Sequence, residues 1–132
     1  MAIAHALIIE DDPRNMKVLA QLLALEDVTS TGVLDPSALT ETLQSLARLD
    51  VIFLDLELPS TNGFEVLQIL KQEMGIMVPI VACTVHTSQM DTAQDLGFHS
   101  FIGKPLQADR FPDQLRQILN GEPVWDMGST TG

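Results

Sequence analysis

The stretch ALIIEDDPRN, residues 6–15, runs from an apolar segment straight into three carboxylates, Glu10, Asp11 and Asp12, and then a proline. A short run of Leu and Ile without polar alternation is the pattern of a strand buried on both faces. Asp12-Pro13 reads as an acidic N-cap with proline at the first helical position, so the strand passes directly into a helix. The same grammar recurs along the chain. HALIIE (5–10), VIFLD (51–55), PIVAC (79–83) and SFIG (100–103) are apolar runs rich in Ile, Val and Phe. VTSTGVL (28–34) is weaker, but it falls between two helical segments where an alternating pattern requires a strand.

Between these runs lie stripes of helical period: Leu19, Leu22 and Leu23; Leu39, Leu43 and Leu46; Val66, Leu67 and Leu70; Leu115, Ile118 and Leu119. Each can lay one apolar face on a sheet. Helix starts are marked by Asp12-Pro13, by Asp35-Pro36, and by Asn62 with Glu65 three residues on. Five strands alternating with five helices predict an α/β fold, a doubly wound five-stranded parallel sheet with helices on both faces. Right-handed crossovers then set all strand C-terminal ends along one rim, where open α/β sheets carry their sites. Residues 1–120 read as one domain. The segment 121–132, GEPVWDMGSTTG, shifts to Gly, Ser, Thr and Pro and reads as a C-terminal tail or the start of a linker. Trp125 within it is expected to pack on the domain or on a partner.

The chain has 132 residues, 45% hydrophobic and 19% charged, which suits one core and argues against disorder. A formal charge of −11 repels nucleic-acid backbones and anionic lipid surfaces and favours cations and basic partners. One cysteine, Cys83, forms no internal disulfide and reads as a buried core thiol in a reducing compartment. The apolar N-terminus lacks a basic flank and meets acids after Ile9, which argues against a signal peptide or spanning helix and for a cytoplasmic location.

Asp12 is accounted for as a helix cap. Glu10 and Asp11 are left at the end of the first strand, and the third strand ends in Asp55 on the same rim. At 4 to 6 Å, like charges repel by roughly 3 to 4 kcal/mol per pair at an effective dielectric near 20, so the trio calls for a cation or shifted pKa values. Hard oxygen ligands without His or Cys beside them point to Mg2+. Lys104, directly after the fifth strand, and Thr84, ending the fourth, reach the same rim. Acids with a divalent ion, one ammonium and one hydroxyl suit a phosphoryl group: cations neutralise its oxygens, the hydroxyl donates, and an aspartate can attack phosphorus.

With these residues in place, the sequence resembles the receiver domain of two-component response regulators over residues 5 to about 119. IIEDDP is similar to the family's acidic pair, VIFLDLELPSTNGFEVL to its phosphoacceptor segment, PIVACT to its fourth strand and FIGKPL to its Lys-Pro signature. The spacings agree: Asp11 to Asp55, Asp55 to Thr84 and Thr84 to Lys104 are 44, 29 and 20 residues. The resemblance implies a flavodoxin-like (βα)5 fold with strand order 2-1-3-4-5. It implies that Asp55 accepts a phosphoryl group from a sensor histidine kinase or a phosphotransfer protein. It further implies that Asp11 and Asp55 bind Mg2+ directly, Glu10 through water, and Glu57 by its backbone carbonyl. Lys104, across a cis peptide to Pro105, would pair with the phosphoryl oxygens; Thr84 would swing in to them, and Phe101 would be the aromatic that turns inward on activation. The fourth helix, fifth strand and fifth helix would present the altered surface to a downstream protein target.

Val85 stands where the family commonly has a small residue and would narrow access to the phosphoryl or restrain its loop. Leu58 replaces a frequent methionine with little consequence. Glu57 and His86 occupy the positions beside the phosphoryl that in the family tune water attack; His86 itself reads first as an exposed loop imidazole. His5 and His99 read as strand-edge residues. Three functions compete. The leading one is a phosphorylation-controlled signalling module, catalysing only its own phosphorylation and dephosphorylation, as a stand-alone regulator or relay without direct nucleic-acid or membrane binding. A phospho-independent receiver-like interaction scaffold would be signalled by loss of an acid, Thr84 or Lys104, and none is lost. A Mg2+-dependent phosphohydrolase needs a second acid two residues after the nucleophile, which Glu57 supplies loosely, and a cap domain for which no segment is long enough.

Overall fold

The computed structural model describes residues 2–59 and 61–128. Its elements alternate: β1 (Ala4–Ile9), α1 (Pro13–Ala24), β2 (Val28–Val33), α2 (Leu39–Ser45), β3 (Val51–Leu54), α3 (Gly63–Gln68), β4 (Ile80–Thr84), α4 (Met90–Leu96), β5 (Ser100–Gly103), α5 (Phe111–Leu119) and β6 (Trp125–Asp126). All pair in parallel in the order 2-1-3-4-5-6. The expected order 2-1-3-4-5 holds, and the sheet carries one strand more than the five expected. Residues 124–128, inside the stretch read as tail or linker, lie against β5; residues 129–132 fall outside the described part.

The two-residue period of a strand explains why the runs are apolar throughout. Leu7, Ile9, Ile52, Leu54, Ala82 and Phe101 face one core, and Ala6, Ile8, Val51, Phe53, Val81 and Ile102 face the other. The first core is covered by Leu39 of α2, by Val66 and Leu67 of α3 and by Ala93 of α4. The second is covered by Leu19 and Leu23 of α1 and by Phe111, Leu115 and Ile118 of α5.

Side-chain caps mark the starts of α1, of the turn leading into α2, and of α3. The Asp12 side chain accepts from the Arg14 amide at 2.9 Å, and that bond holds its carboxyl below the usual range. Asp35 accepts from the Ser37 amide, opening a 3-10 turn (Pro36–Ala38) ahead of α2, and Asn62 accepts from the Glu65 amide at 3.0 Å. Beyond α3 the ladder widens to a π turn over Ile69–Glu73, where the Met74 amide bonds to the Ile69 carbonyl at 3.0 Å. No pattern in the sequence marks that turn. A 3-10 turn (Thr87–Gln89) precedes α4, which ends on Gly97 at φ 107°, a left-handed position that suits glycine.

Candidate functional site: an acidic rim with one ammonium

Adjacent strand ends build the site. The Asp55 amide donates to the Ile9 carbonyl at 3.0 Å, which continues the β1–β3 ladder one step and sets Asp55 beside Glu10. The Glu57 amide donates to Asp55 Oδ1 at 3.1 Å and helps orient that carboxylate. On the far side, the Lys104 amide donates to the Thr84 carbonyl at 2.8 Å, extending the β4–β5 pairing to the rim, and the Lys104–Pro105 peptide is cis.

Glu10, Asp11 and Asp55 each present a carboxylate oxygen, all within 4.8 Å of one another. Glu10 and Asp55 are buried and Asp11 is exposed. Lys104 reaches between the two buried acids, its Nζ hydrogen-bonding Glu10 Oε2 and standing 3.4 Å from Asp55 Oδ2. One ammonium faces three carboxylates, and the imbalance registers in Glu10. Burial pushes its carboxyl up to about 7; the hydrogen bond from Lys104 opposes this, and the charge of Asp55 adds to it. For Lys104 burial works downward, but its bond to Glu10 and the surrounding negative charge outweigh burial and raise it above the usual lysine value.

The donor set fits a hard divalent cation. All three ligands are oxygen, no thiolate or imidazole joins them, and the exposed edge at Asp11 leaves room for waters. A buried carboxylate driven to about 7 is also a group that a cation would return to its charged form. Beside the acids opens a cavity of about 310 Å³ walled by Val18 and Leu19 of α1, Phe53, Val85, Pro105 and Leu106. Val85 stands 62% exposed at its mouth. Cys83 lies behind it, its thiol pushed up to about 12 by burial, which leaves it protonated and inert as the sequence implied.

The remaining residues are placed as follows. Thr84 is fully buried at the end of β4, and its hydroxyl accepts from the His86 amide at 3.1 Å. Phe101 is fully buried in the first core. His86 stands exposed in the β4–α4 loop, as its reading from the sequence had it, and its Nε2 pairs with Glu57 of the β3–α3 loop. Two exposed side chains 29 residues apart leave no local signal of that pairing. His5 lies within the inner strand β1 and bonds Thr29 and Thr31, and His99 bonds Ser100 and the Gly121 carbonyl; neither approaches the acids as a ligand.

An acidic rim with one lysine thus lies at the carboxyl ends of a parallel sheet of order 2-1-3-4-5-6, and comparison with known proteins gives the class of the chain. The response regulator receiver domain model matches residues 6–116, and the chain belongs to that family. It is 34% identical over 130 residues to the sensory transduction protein RegX3 of Mycolicibacterium smegmatis, covering 96% of this chain and 55% of that protein. It is 30% identical over 115 residues to the DNA-binding response regulator MtrA of the same organism, covering 86% of this chain and 49% of that protein. The chain thus spans about half the length of these curated relatives. Among solved structures, a two-component response regulator from Clostridium difficile superimposes with a TM-score of 0.78 at 21% identity, over 89% of this chain and 96% of that one. A CheY-like receiver domain from Methylobacillus flagellatus gives 0.76 at 23%, over 89% and 99%. Among the described residues no helix is long and apolar enough to cross a membrane.

Proposed function

We propose that this chain is a Mg2+-dependent phosphoacceptor that takes a phosphoryl group onto Asp55 from a sensor histidine kinase or phosphotransfer protein. A carboxylate oxygen of Asp55 attacks phosphorus in line, the bond from phosphorus to the donor imidazole nitrogen breaks, and that nitrogen keeps the electron pair. Asp11, Asp55 and the Glu57 carbonyl would hold Mg2+ directly and Glu10 through water, and the ion would neutralise charge building on the phosphoryl oxygens. Lys104 would leave its carboxylate partners for a phosphoryl oxygen, and the Thr84 hydroxyl would donate to another. Val85 and the Glu57–His86 pair would border the path of attacking water. The added charge of about −1.5 to −2 then biases a two-state surface built from α4, β5 and α5 for a downstream protein target.

The chain would turn over no external substrate and would act in the cytoplasm, as a stand-alone regulator or relay or as the receiver portion, residues 1–120, of a longer protein. Its charge of −11 disfavours direct nucleic-acid contact. A phospho-independent scaffold is not favoured, because every acid, Thr84 and Lys104 are retained. The observation that carries the reading is the Lys104 ammonium set between Glu10 and Asp55 where all three acids meet. Incubation with Mg2+ and acetyl phosphate, followed by intact-protein mass spectrometry, tests it. One hydroxylamine-labile phosphoryl adduct is expected, lost in Asp55→Ala and without Mg2+; an adduct that survives Asp55→Ala overturns it.

A further inference from the structure

A helix that follows a parallel strand ends at the opposite edge of the sheet, so α5 carries the chain away from Asp55. β6 brings it back. Because β6 is parallel to β5, residues 127–128 arrive at the carboxyl rim, where the Met127 carbonyl lies against Gly103, the neighbour of Lys104. A side chain on residue 103 would strike both that carbonyl and the methyl of Thr87 in the β4–α4 loop.

The strand is tied down by specific bonds. The Phe101 amide donates to the Val124 carbonyl at 2.8 Å, and the Val124 amide donates to the buried Ser100 Oγ at 3.0 Å. Arg110 at 2.9 Å, Gln114 at 2.7 Å and the Gly128 amide at 2.9 Å all donate to the Asp126 carboxylate. The register sets Trp125 opposite Phe101. Partners in a parallel register project to the same face, and both rings pack in the first core. Trp125 is on the outer side, since β6 is the sheet's edge. With β6 docked, Trp125 is the register neighbour of Phe101 on its outer side, and the Phe101 backbone is held between β4 and β6.

We propose that Trp125 is a positioning residue for the phosphorylation switch: docking of residues 124–128 holds Phe101 inward, so docking and occupancy of Asp55 reinforce each other. This rests on the receiver reading, in which inward Phe101 belongs to the phosphorylated state. Coupling between two binding equilibria is reciprocal, so what loosens the strand weakens the phosphoryl site by the same factor. The strand is then a second input, through which a partner that draws residues 124–128 off the sheet disfavours the active state.

Trp125 is the one tryptophan of the chain, so its fluorescence reports docking directly. Beryllofluoride with Mg2+ serves as the phosphoryl mimic, its affinity read by calorimetry and the exposure of Trp125 by acrylamide quenching. Saturation is expected to lower quenching. Trp125→Ala and Asp126→Ala are expected to weaken beryllofluoride binding about fivefold or more, the low end of typical site-to-site coupling, with Trp125→Phe restoring it. Unchanged quenching at saturation, or wild-type affinity in Trp125→Ala with a lowered Tm, makes the strand merely structural and overturns the proposal. The Asp55 adduct from acetyl phosphate is scored separately: if it forms while these readouts stay flat, the strand proposal alone falls, and if it never forms, both fall.

Discussion

Glu10 is the residue whose charge is hardest to keep. Its folded-state value near 7 lies above the ordinary 4.5. Between those two values the folded protein holds a proton that the unfolded chain has released, so stability falls as pH rises through the window and the loss is complete above it. Lys104 shifts upward from 10.5 and contributes nothing to this range. Without metal, the thermal midpoint is therefore expected to drop between pH 5 and pH 7.5. Glu10→Gln keeps an acceptor for Lys104 and removes one of three negative charges, so in chelator at pH 7.5 it should melt a few degrees higher than wild type, with the gap closing near pH 5. In excess Mg2+ the order should reverse, because the variant loses a ligand. Melting curves at the two pH values, with and without Mg2+, check this; a variant less stable than wild type in chelator at pH 7.5 would show that the Lys104 ion pair outweighs the repulsion.

At the scale of elements, the junction from β3 into α3 leaves the backbone little room. A Cβ on Gly63 would stand 2.6 Å from the Asp55 carbonyl oxygen and 2.7 Å from Leu56 Cα, both backbone atoms that move only by displacing Asp55 and its neighbour. Gly63→Ala is expected to lose about 1–3 kcal/mol in urea unfolding and to slow phosphorylation from acetyl phosphate. Gly32 on β2 is the control, because its Cβ would meet only the thioether end of Met16, a flexible side chain, and Gly32→Ala should stay within about 1 kcal/mol. The contrast also separates what the sequence discloses from what it conceals. β1, β3, β4 and β5 are legible because both faces are buried, which forces continuous apolar runs, and the site is legible because acids placed straight after such runs have nowhere to go but the rim. β6 is hidden: two residues in a Gly- and Pro-rich stretch are held by Arg110, Gln114 and Ser100, partners fixed by the tertiary fold. The Glu57–His86 pair is hidden for the same reason, since two loops must first be brought together.

The whole molecule carries 18 acidic against 7 basic residues, and the folded state crowds them. For this length the radius of gyration is roughly 14 Å. At about 10 mM ionic strength the Debye length of about 30 Å exceeds that radius, and at about 150 mM it shrinks to about 8 Å. Distant carboxylates therefore repel one another throughout the molecule in dilute buffer and are largely screened at moderate salt. Raising NaCl over that range is expected to raise the urea midpoint smoothly and without saturation. Mg2+ adds a second effect, because an ion bound by the folded rim and not by the unfolded chain stabilises by mass action and saturates with site occupancy. At matched ionic strength, MgCl2 should thus give a higher midpoint than NaCl, and Asp11→Asn, which removes an exposed ligand and leaves the core untouched, should erase the extra increment while keeping the NaCl response. Equal midpoints in the two salts for the wild-type chain would mean that the acids act only as a diffuse charge and hold no ion in common.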